Sequence, residues 1–142
     1  MKSYTDIEQS KKLTEFLPIE SADMCWIDRP QIVTDCPEVP VIPDIELKAM
    51  LPQNKLLPCW SLAALLNVLP DEISTGEGYQ NKYEIDIRRH YGGNNITLYQ
   101  IAYGNNKGLS GNWHDMISTS EQEKFVDVCY EVIIKLHEMN LL

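Results

Sequence analysis

The sequence predicts an α+β fold in which an N-terminal, a central buried and a C-terminal helix lie on a small antiparallel sheet with a hairpin at its centre. Residues 82–104 alternate apolar and polar side chains on both sides of a Gly-Gly-Asn-Asn turn, as in a β-hairpin. Residues 125–139 repeat apolar side chains at helical spacing, and residues 60–69 are apolar on nearly every side. A chain of 142 residues has the length of one domain, so we expect a single domain over residues 1–142.

The N-terminal helix is predicted from a capping box. Thr5-Asp6-Ile7-Glu8 has the S/T-x-x-E form, in which the hydroxyl and the carboxylate bind free backbone N–H groups of the first turn. We therefore expect a helix from about residue 6 to residue 17, ended by Pro18. Met24–Ile27, a short apolar run bounded by aspartates, is predicted to add an edge strand to the sheet.

The stretch from residue 30 to residue 58 contains six of the eight prolines. Because each proline removes a backbone donor and fixes φ, we expect an extended segment that covers the core. Pro37, Pro40 and Pro43 are spaced three residues apart, which suits a polyproline II helix that docks into an aromatic groove of a partner protein. The sequence favours the alternative, a covering loop whose aliphatic side chains face the core, namely Val39, Val41 and Ile42.

The remaining elements follow in chain order. Pro58 and Pro70 limit the central buried helix to about three turns. In the hairpin, residues 96–103 are apolar on both faces, so this strand is expected to be the more buried one. Ser118-Thr119-Ser120 followed by acidic residues is typical of a helix start, and Asn140 suits the left-handed cap at the end of that helix.

Charge and hydropathy exclude several classes of function. With 12 basic and 21 acidic side chains the net charge is −9, which repels phosphate backbones, so we expect no nucleic-acid partner. The acidic residues are spread along the chain and indicate a solubilising surface. The alternative is an acidic face that mimics DNA and inhibits a DNA-binding protein. No apolar run reaches the length of a signal peptide or a membrane span, so we expect a cytoplasmic protein without a membrane partner.

Metal and cofactor chemistry has little support in the sequence. The four cysteines and three histidines lack the spacing of a metal site, so we expect no metal and no cofactor. Glu84, Asp86 and His90 share one strand face and form the alternative cation site. Arg88 lies among them, which indicates a solvated polar face instead.

Cys59 is the sequence's candidate nucleophile. A thiol just before a helix has a lowered pKa, because the helix dipole and the free N–H groups stabilise the thiolate. Cys59-Trp60-Ser61 resembles the Cys-Trp-Ala/Ser stretch of papain-like cysteine proteases. That resemblance implies an oxyanion role for Gln53, a base role for His90 and an orienting role for Asn112. The Gly- and Cys-rich lead-in of that family is absent, and the chain is too short for its two-lobed fold. The alternative is that Cys59 packs in the core.

A second resemblance extends through most of the chain. The blocks "EQSKKL", "SADM" and "LPCWSLAALLNVLP", with a final helix that ends in a small apolar tail, resemble a group of short proteins. Prophages and other mobile elements of anaerobic gut bacteria encode this group. The resemblance implies an accessory gene and brings no mechanism with it.

The sequence therefore favours a non-enzymatic accessory protein that acts by binding another protein. Its expected surfaces are the proline-rich segment, the hairpin tip and the 104–115 loop, which carries Trp113 and His114. A small thiol hydrolase centred on Cys59 and a DNA-mimic inhibitor are the two alternatives. Nothing in the sequence specifies an oligomeric state.

Overall fold

The computed structural model describes residues 2–27, 39–43, 56–107 and 111–142. These residues form two compact units, one of Ser3–Ala64 and the other of Met1–Lys2 with Leu65–Leu142. The described residues contain α-helices and two antiparallel sheets, one of two strands and one of four. The predicted α+β class is therefore confirmed, while the single domain stays a prediction.

The unit of Ser3–Ala64 contains helix α1 (Ile7–Thr14) and strands β1 (Met24–Ile27) and β2 (Leu56–Cys59). The strand predicted at Met24–Ile27 is confirmed, but it pairs with β2 in a separate two-stranded sheet and not with the hairpin. Strand β2 contains Pro58, which lies opposite Cys25. The missing N–H of Pro58 is tolerated because Cys25 exchanges both of its backbone hydrogen bonds with Val41, at 2.8 and 2.9 Å.

Helix α1 begins one residue later than the predicted capping box. Asp6 is the N-cap, since its carboxylate accepts the Gln9 N–H at 2.8 Å while the Gln9 side chain accepts the Asp6 N–H at 3.1 Å. Thr5 is buried, and its hydroxyl binds elsewhere in the same unit. The regular helix ends at Thr14, although Leu17 remains buried in the turn that follows.

Helix α2 (Leu62–Val68) is the predicted central helix, and it is shorter than the apolar run at residues 60–69. Ser61 caps it, with its hydroxyl oxygen 3.2 Å from the N–H of Ala64. Asp23 in turn accepts hydrogen bonds from the Ser61 N–H at 2.8 Å and the Ser61 hydroxyl at 2.5 Å. The start of α2 is thus held to the residues just before β1.

The second unit is built on a four-stranded sheet. Strands β3 (Glu72–Ser74), β4 (Lys82–Tyr91), β5 (Thr97–Asn105) and β6 (His114–Ser118) lie in that order and are all antiparallel. The predicted hairpin is confirmed as β4–β5, with Asn94 and Asn95 at positive φ in its turn. As expected, β5 is the more buried strand, since residues 101–104 are buried.

Helix α3 (Phe125–Glu138) lies on β5, and the Phe125 ring stacks on Tyr99 with centroids 5.0 Å apart. The helix start predicted at Ser118-Thr119-Ser120 is wrong, because Ser118 ends β6 and Thr119 continues its ladder, and the helix begins only at Phe125. Thr119 donates its N–H to the Ile101 carbonyl at 2.9 Å, and its hydroxyl accepts the Ile101 N–H at 3.0 Å. A hydroxyl that could cap a helix completes the strand ladder instead.

The C-terminal cap is confirmed. Asn140 has φ 55°, and its N–H binds the His137 carbonyl at 3.0 Å. The N–H of Leu141 reaches back to the Leu136 carbonyl at 2.9 Å, which completes a Schellman motif. The end of α3 is thereby fixed by its own backbone.

Gly104 lies at a β-bulge between β5 and β6, where a side chain has no room. A Cβ at this position would lie 2.5 Å from both the His114 carbonyl oxygen and the Trp113 Nε1 atom. We predict that Gly104→Ala lowers the free energy of unfolding by about 1–3 kcal/mol, measured by urea denaturation. Gly93→Ala is the matched control, because its Cβ would meet nothing within 4 Å. Equal stability of the two variants would mean that the β6 backbone moves away without cost.

Candidate functional site

Cys59, the predicted nucleophile, lies in the core of its unit. It is the last residue of β2 and is 0% exposed. Its sulfur lies 3.5 Å from the hydroxyl of Thr5 and also 3.5 Å from the Thr5 carbonyl oxygen. Burial raises the pKa of this thiol, which is opposite to the change that a nucleophilic cysteine requires. This environment is that of a packing residue.

Two of the other candidate catalytic residues, His90 and Asn112, belong to the second unit. His90 lies on β4, where its Nε2 atom is 3.9 Å from a carboxylate oxygen of Glu121. Asn112 is exposed and precedes β6. Gln53 lies outside the described residues. The described geometry therefore gives no support to the hydrolase hypothesis.

Cys59 lies beside a buried network of hydroxyl groups centred on Thr5. The Thr5 hydroxyl accepts the Trp60 N–H at 3.1 Å and is 2.8 Å from the hydroxyl of Ser10. Ser10 also accepts the indole N–H of Trp26 at 3.2 Å. These contacts join α1 to one face of the β1–β2 sheet. The S/T-x-x-E pattern predicts only a capping role for Thr5, because a lone threonine carries no signal of such a network.

Three residues on the opposite face of the β1–β2 sheet, Cys25, Leu56 and Pro58, line an apolar pocket of about 540 Å³. Since side chains alternate across a strand, Cys25 and Pro58 point away from Trp26 and Cys59, which face α1. Only one of the described lining residues is charged, the acidic Glu20. The described lining consists of Ile19, Glu20, Ala22, Met24, Cys25, Pro43, Leu56 and Pro58.

Exposed aliphatic side chains accompany this pocket. Ile19, a lining residue, is 66% exposed, and Ile42, the neighbour of Pro43, is 77% exposed. Val39 is also exposed, so two of the three aliphatic residues expected to face the core face solvent. Such side chains are buried at low entropic cost when a partner covers them.

The three predicted proline positions differ in their surroundings. Pro40 is buried, which removes its ring from the surface, and Pro43 is half-buried and lines the pocket. Pro37 lies outside the described residues. The segment at residues 39–43 therefore presents aliphatic side chains to solvent more than it presents proline rings.

Trp113 and His114, the other predicted binding residues, lie beside a charged cluster of the second unit. Trp113 is 39% exposed and donates its indole N–H to Asp115 at 2.7 Å. Arg88 binds both carboxylate oxygens of Asp115, at 2.7 and 2.6 Å, and binds Asp86 at 2.6 Å. The hydrogen bonds from Arg88 hold the pKa of Asp115 below its usual range. His114 is exposed on β6 opposite Asn105.

No metal-binding site is found among the residues that the structure describes. No three His, Cys, Asp or Glu side chains there are grouped to hold a metal ion. Asp86, a member of the predicted alternative cation site, is occupied by Arg88. Within the same ranges no helix combines the length and apolar character that crossing a membrane requires.

Comparisons with protein-family models, with curated proteins and with solved structures find no match to this chain.

The burial of Cys59 predicts its chemical behaviour. We expect iodoacetamide to alkylate Cys59 in the folded protein at least about 100-fold more slowly than a free thiol, because reaction requires local unfolding. Site-resolved mass spectrometry measures the rate, and the same protein in urea is the control. Fast alkylation with a midpoint below pH 8 would contradict the packing role.

The Arg88–Asp115 pair predicts a pH dependence. The lowered pKa of Asp115 means that its contribution to stability is present above the ordinary pKa, near 3.9, and is lost as pH falls through the folded value. Because the pair is partly exposed, we expect Asp115→Asn to lower the free energy of unfolding by about 1 kcal/mol at pH 7. The difference from the native chain should become smaller at pH 3, below the ordinary pKa. Urea denaturation at both pH values measures it, with exposed Glu123→Gln as the control. A loss that is the same at both pH values would contradict the ion pair as its cause.

Proposed function

We propose that the protein is a cytoplasmic, non-enzymatic accessory protein of a mobile element that acts by binding another protein. The observation that carries this proposal is the apolar pocket beside Cys25, together with the exposed side chains of Ile19 and Ile42. The resemblance of the sequence to short accessory proteins of prophages supports the same class.

The pocket is concave, and exposed aliphatic side chains lie beside it. Full burial of an isoleucine side chain contributes about 1.5–3 kcal/mol, and two such residues accompany the pocket. Interfaces concentrate their binding energy where an anchor side chain of one partner fills a pocket of the other. We therefore propose that the pocket accepts a large apolar side chain of the partner protein.

Other surfaces support binding less well. The indole N–H of Trp113 is already bound to Asp115, so this residue offers a partner only part of its ring. The thiol-hydrolase alternative requires an exposed, acidic thiol, and Cys59 is neither exposed nor lowered in pKa.

The DNA-mimic alternative requires a row of carboxylates without counter-charges. Many described carboxylates instead lie within ion-pair distance of a Lys or Arg side chain. They are Glu8, Glu15, Glu72, Asp86, Asp115, Asp127 and Glu131. Their arrangement favours a mixed, solvated surface over an imitation of phosphates.

The proposal is tested by filling the pocket with a large side chain. We expect a phage-displayed library of random 12-residue peptides, selected on the purified protein, to yield binders with a large apolar anchor. Ala22 lines the pocket, and Ala22→Trp should weaken these peptides at least about tenfold, measured by isothermal titration calorimetry.

Ala63→Trp is the matched control, since Ala63 is exposed on α2 and is absent from the described pocket lining. It should leave the affinity unchanged. A library that yields no binder, or binders that tolerate Ala22→Trp, would refute the pocket as the binding site.

A further inference from the structure

Strand β4 has an outer edge that the sheet leaves largely uncovered. Its neighbour β3 has three residues and pairs only with Lys82–Glu84, whereas β4 has ten. At the next position of this edge, the N–H of Ile85 donates a hydrogen bond to the carbonyl of Asp71 at 3.0 Å. Beyond Ile85, no residue in the described ranges pairs with this edge. The open stretch is residues 87–91.

The hairpin fixes which backbone groups face the open edge. The N–H of Gly92 binds the Ile96 carbonyl at 2.8 Å, so the even-numbered residues of β4 form the hydrogen-bonded pairs with β5. The outward N–H of Ile85 agrees with this alternation. Ile87, Arg89 and Tyr91 therefore direct their N–H and C=O groups away from β5, toward the open side.

Four of the five side chains along this stretch are exposed, and two of the five residues are arginines. Tyr91 is 78% exposed and Ile87 is 49% exposed, on the same face as Arg89. Arg88-Arg89-His90 is the longest run of basic residues in a chain of net charge −9. Arg88 is neutralised by Asp86 and Asp115, whereas Arg89 lies 5.2 Å from the Tyr91 ring and has no ion pair with a described carboxylate.

We propose that residues 87–91 of β4 bind an extended acidic segment of another protein, which joins the sheet as an additional strand. The outward N–H and C=O groups supply the backbone hydrogen bonds of strand addition. An acidic side chain of the added strand lies beside Arg89, and apolar side chains lie beside Ile87 and Tyr91. This edge belongs to the second unit, and the proposal is independent of the pocket lined by Cys25.

The charge of Arg89 favours an acidic segment over a second copy of the chain as the added strand. Antiparallel pairing of the whole open stretch with its own copy places Arg89 opposite Arg89, and like charges at directly opposed positions are destabilising. A carboxylate opposite Arg89 instead forms an attractive pair of opposite charges. Exposed arginines on edge strands also discourage self-association.

The test uses a synthetic strand as the probe. The acetylated heptapeptide Thr-Val-Thr-Glu-Thr-Val-Thr places one Glu between two Val side chains on one face, and its matched control carries Lys in place of Glu. In ¹⁵N-labelled protein we expect the Glu peptide to shift the amide signals of Ile87, Arg89 and Tyr91. Amide exchange at these positions should slow at least about fivefold, and the Lys peptide should bind at least about tenfold more weakly.

Two variants separate the backbone contribution from the charge. Arg89→Pro removes the outward N–H as well as the guanidinium, without removing a hydrogen bond to β5, and it should bind the Glu peptide at least about tenfold more weakly than Arg89→Ala does. Arg89→Ala keeps the N–H and should remove most of the discrimination between the two peptides. Ala22→Trp should bind the Glu peptide as the native chain does, which separates this site from the pocket.

Three results would overturn the proposal. They are absence of binding by the Glu peptide, equal binding of the Glu and Lys peptides, and amide shifts located away from residues 87–91. If Arg89→Pro does not fold, the proposal is tested by amide exchange in the native chain and by the comparison of the Glu peptide with the Lys peptide.

Discussion

The hydroxyl of Thr5 is the contact on which the organisation of the Ser3–Ala64 unit depends. It contacts Ser10 within α1 and accepts a hydrogen bond from Trp60, the residue after β2. A buried hydroxyl left without these partners would cost about 1–3 kcal/mol, so the three groups stay together. Helix α1 is thereby held on one face of the β1–β2 sheet, which is why Cys59 is enclosed and why the apolar pocket lies on the opposite face.

The parts of the fold that were predictable are those set by local periodicity. The β4–β5 hairpin follows from alternation of period two around residues that accept positive φ, and the cap at Asn140 follows from the same backbone preference. Strand β2 was not predictable, because Pro58 argues against a strand unless the opposite residue bonds elsewhere. The start of α3 was misplaced, since the Thr119 hydroxyl can serve a helix cap or a strand ladder, and only the position of β5 decides between them.

The candidate site was less predictable than the fold. A cysteine before a helical pattern has the same sequence signal whether it is exposed or enclosed, and the enclosure of Cys59 depends on Thr5, distant in sequence. The pocket combines a turn at Ile19, a strand at Cys25 and a second strand at Pro58, and no local pattern links these positions. The exposed edge of β4 also depends on the shortness of β3, which has only three residues.

Another enclosed thiol, that of Cys129, has a consequence for handling the protein in air. It is fully buried in the apolar stripe of α3, and burial raises its pKa to about 12. Oxidation to sulfenic acid begins from the thiolate, so burial and the raised pKa both slow the oxidation of Cys129 in the folded chain.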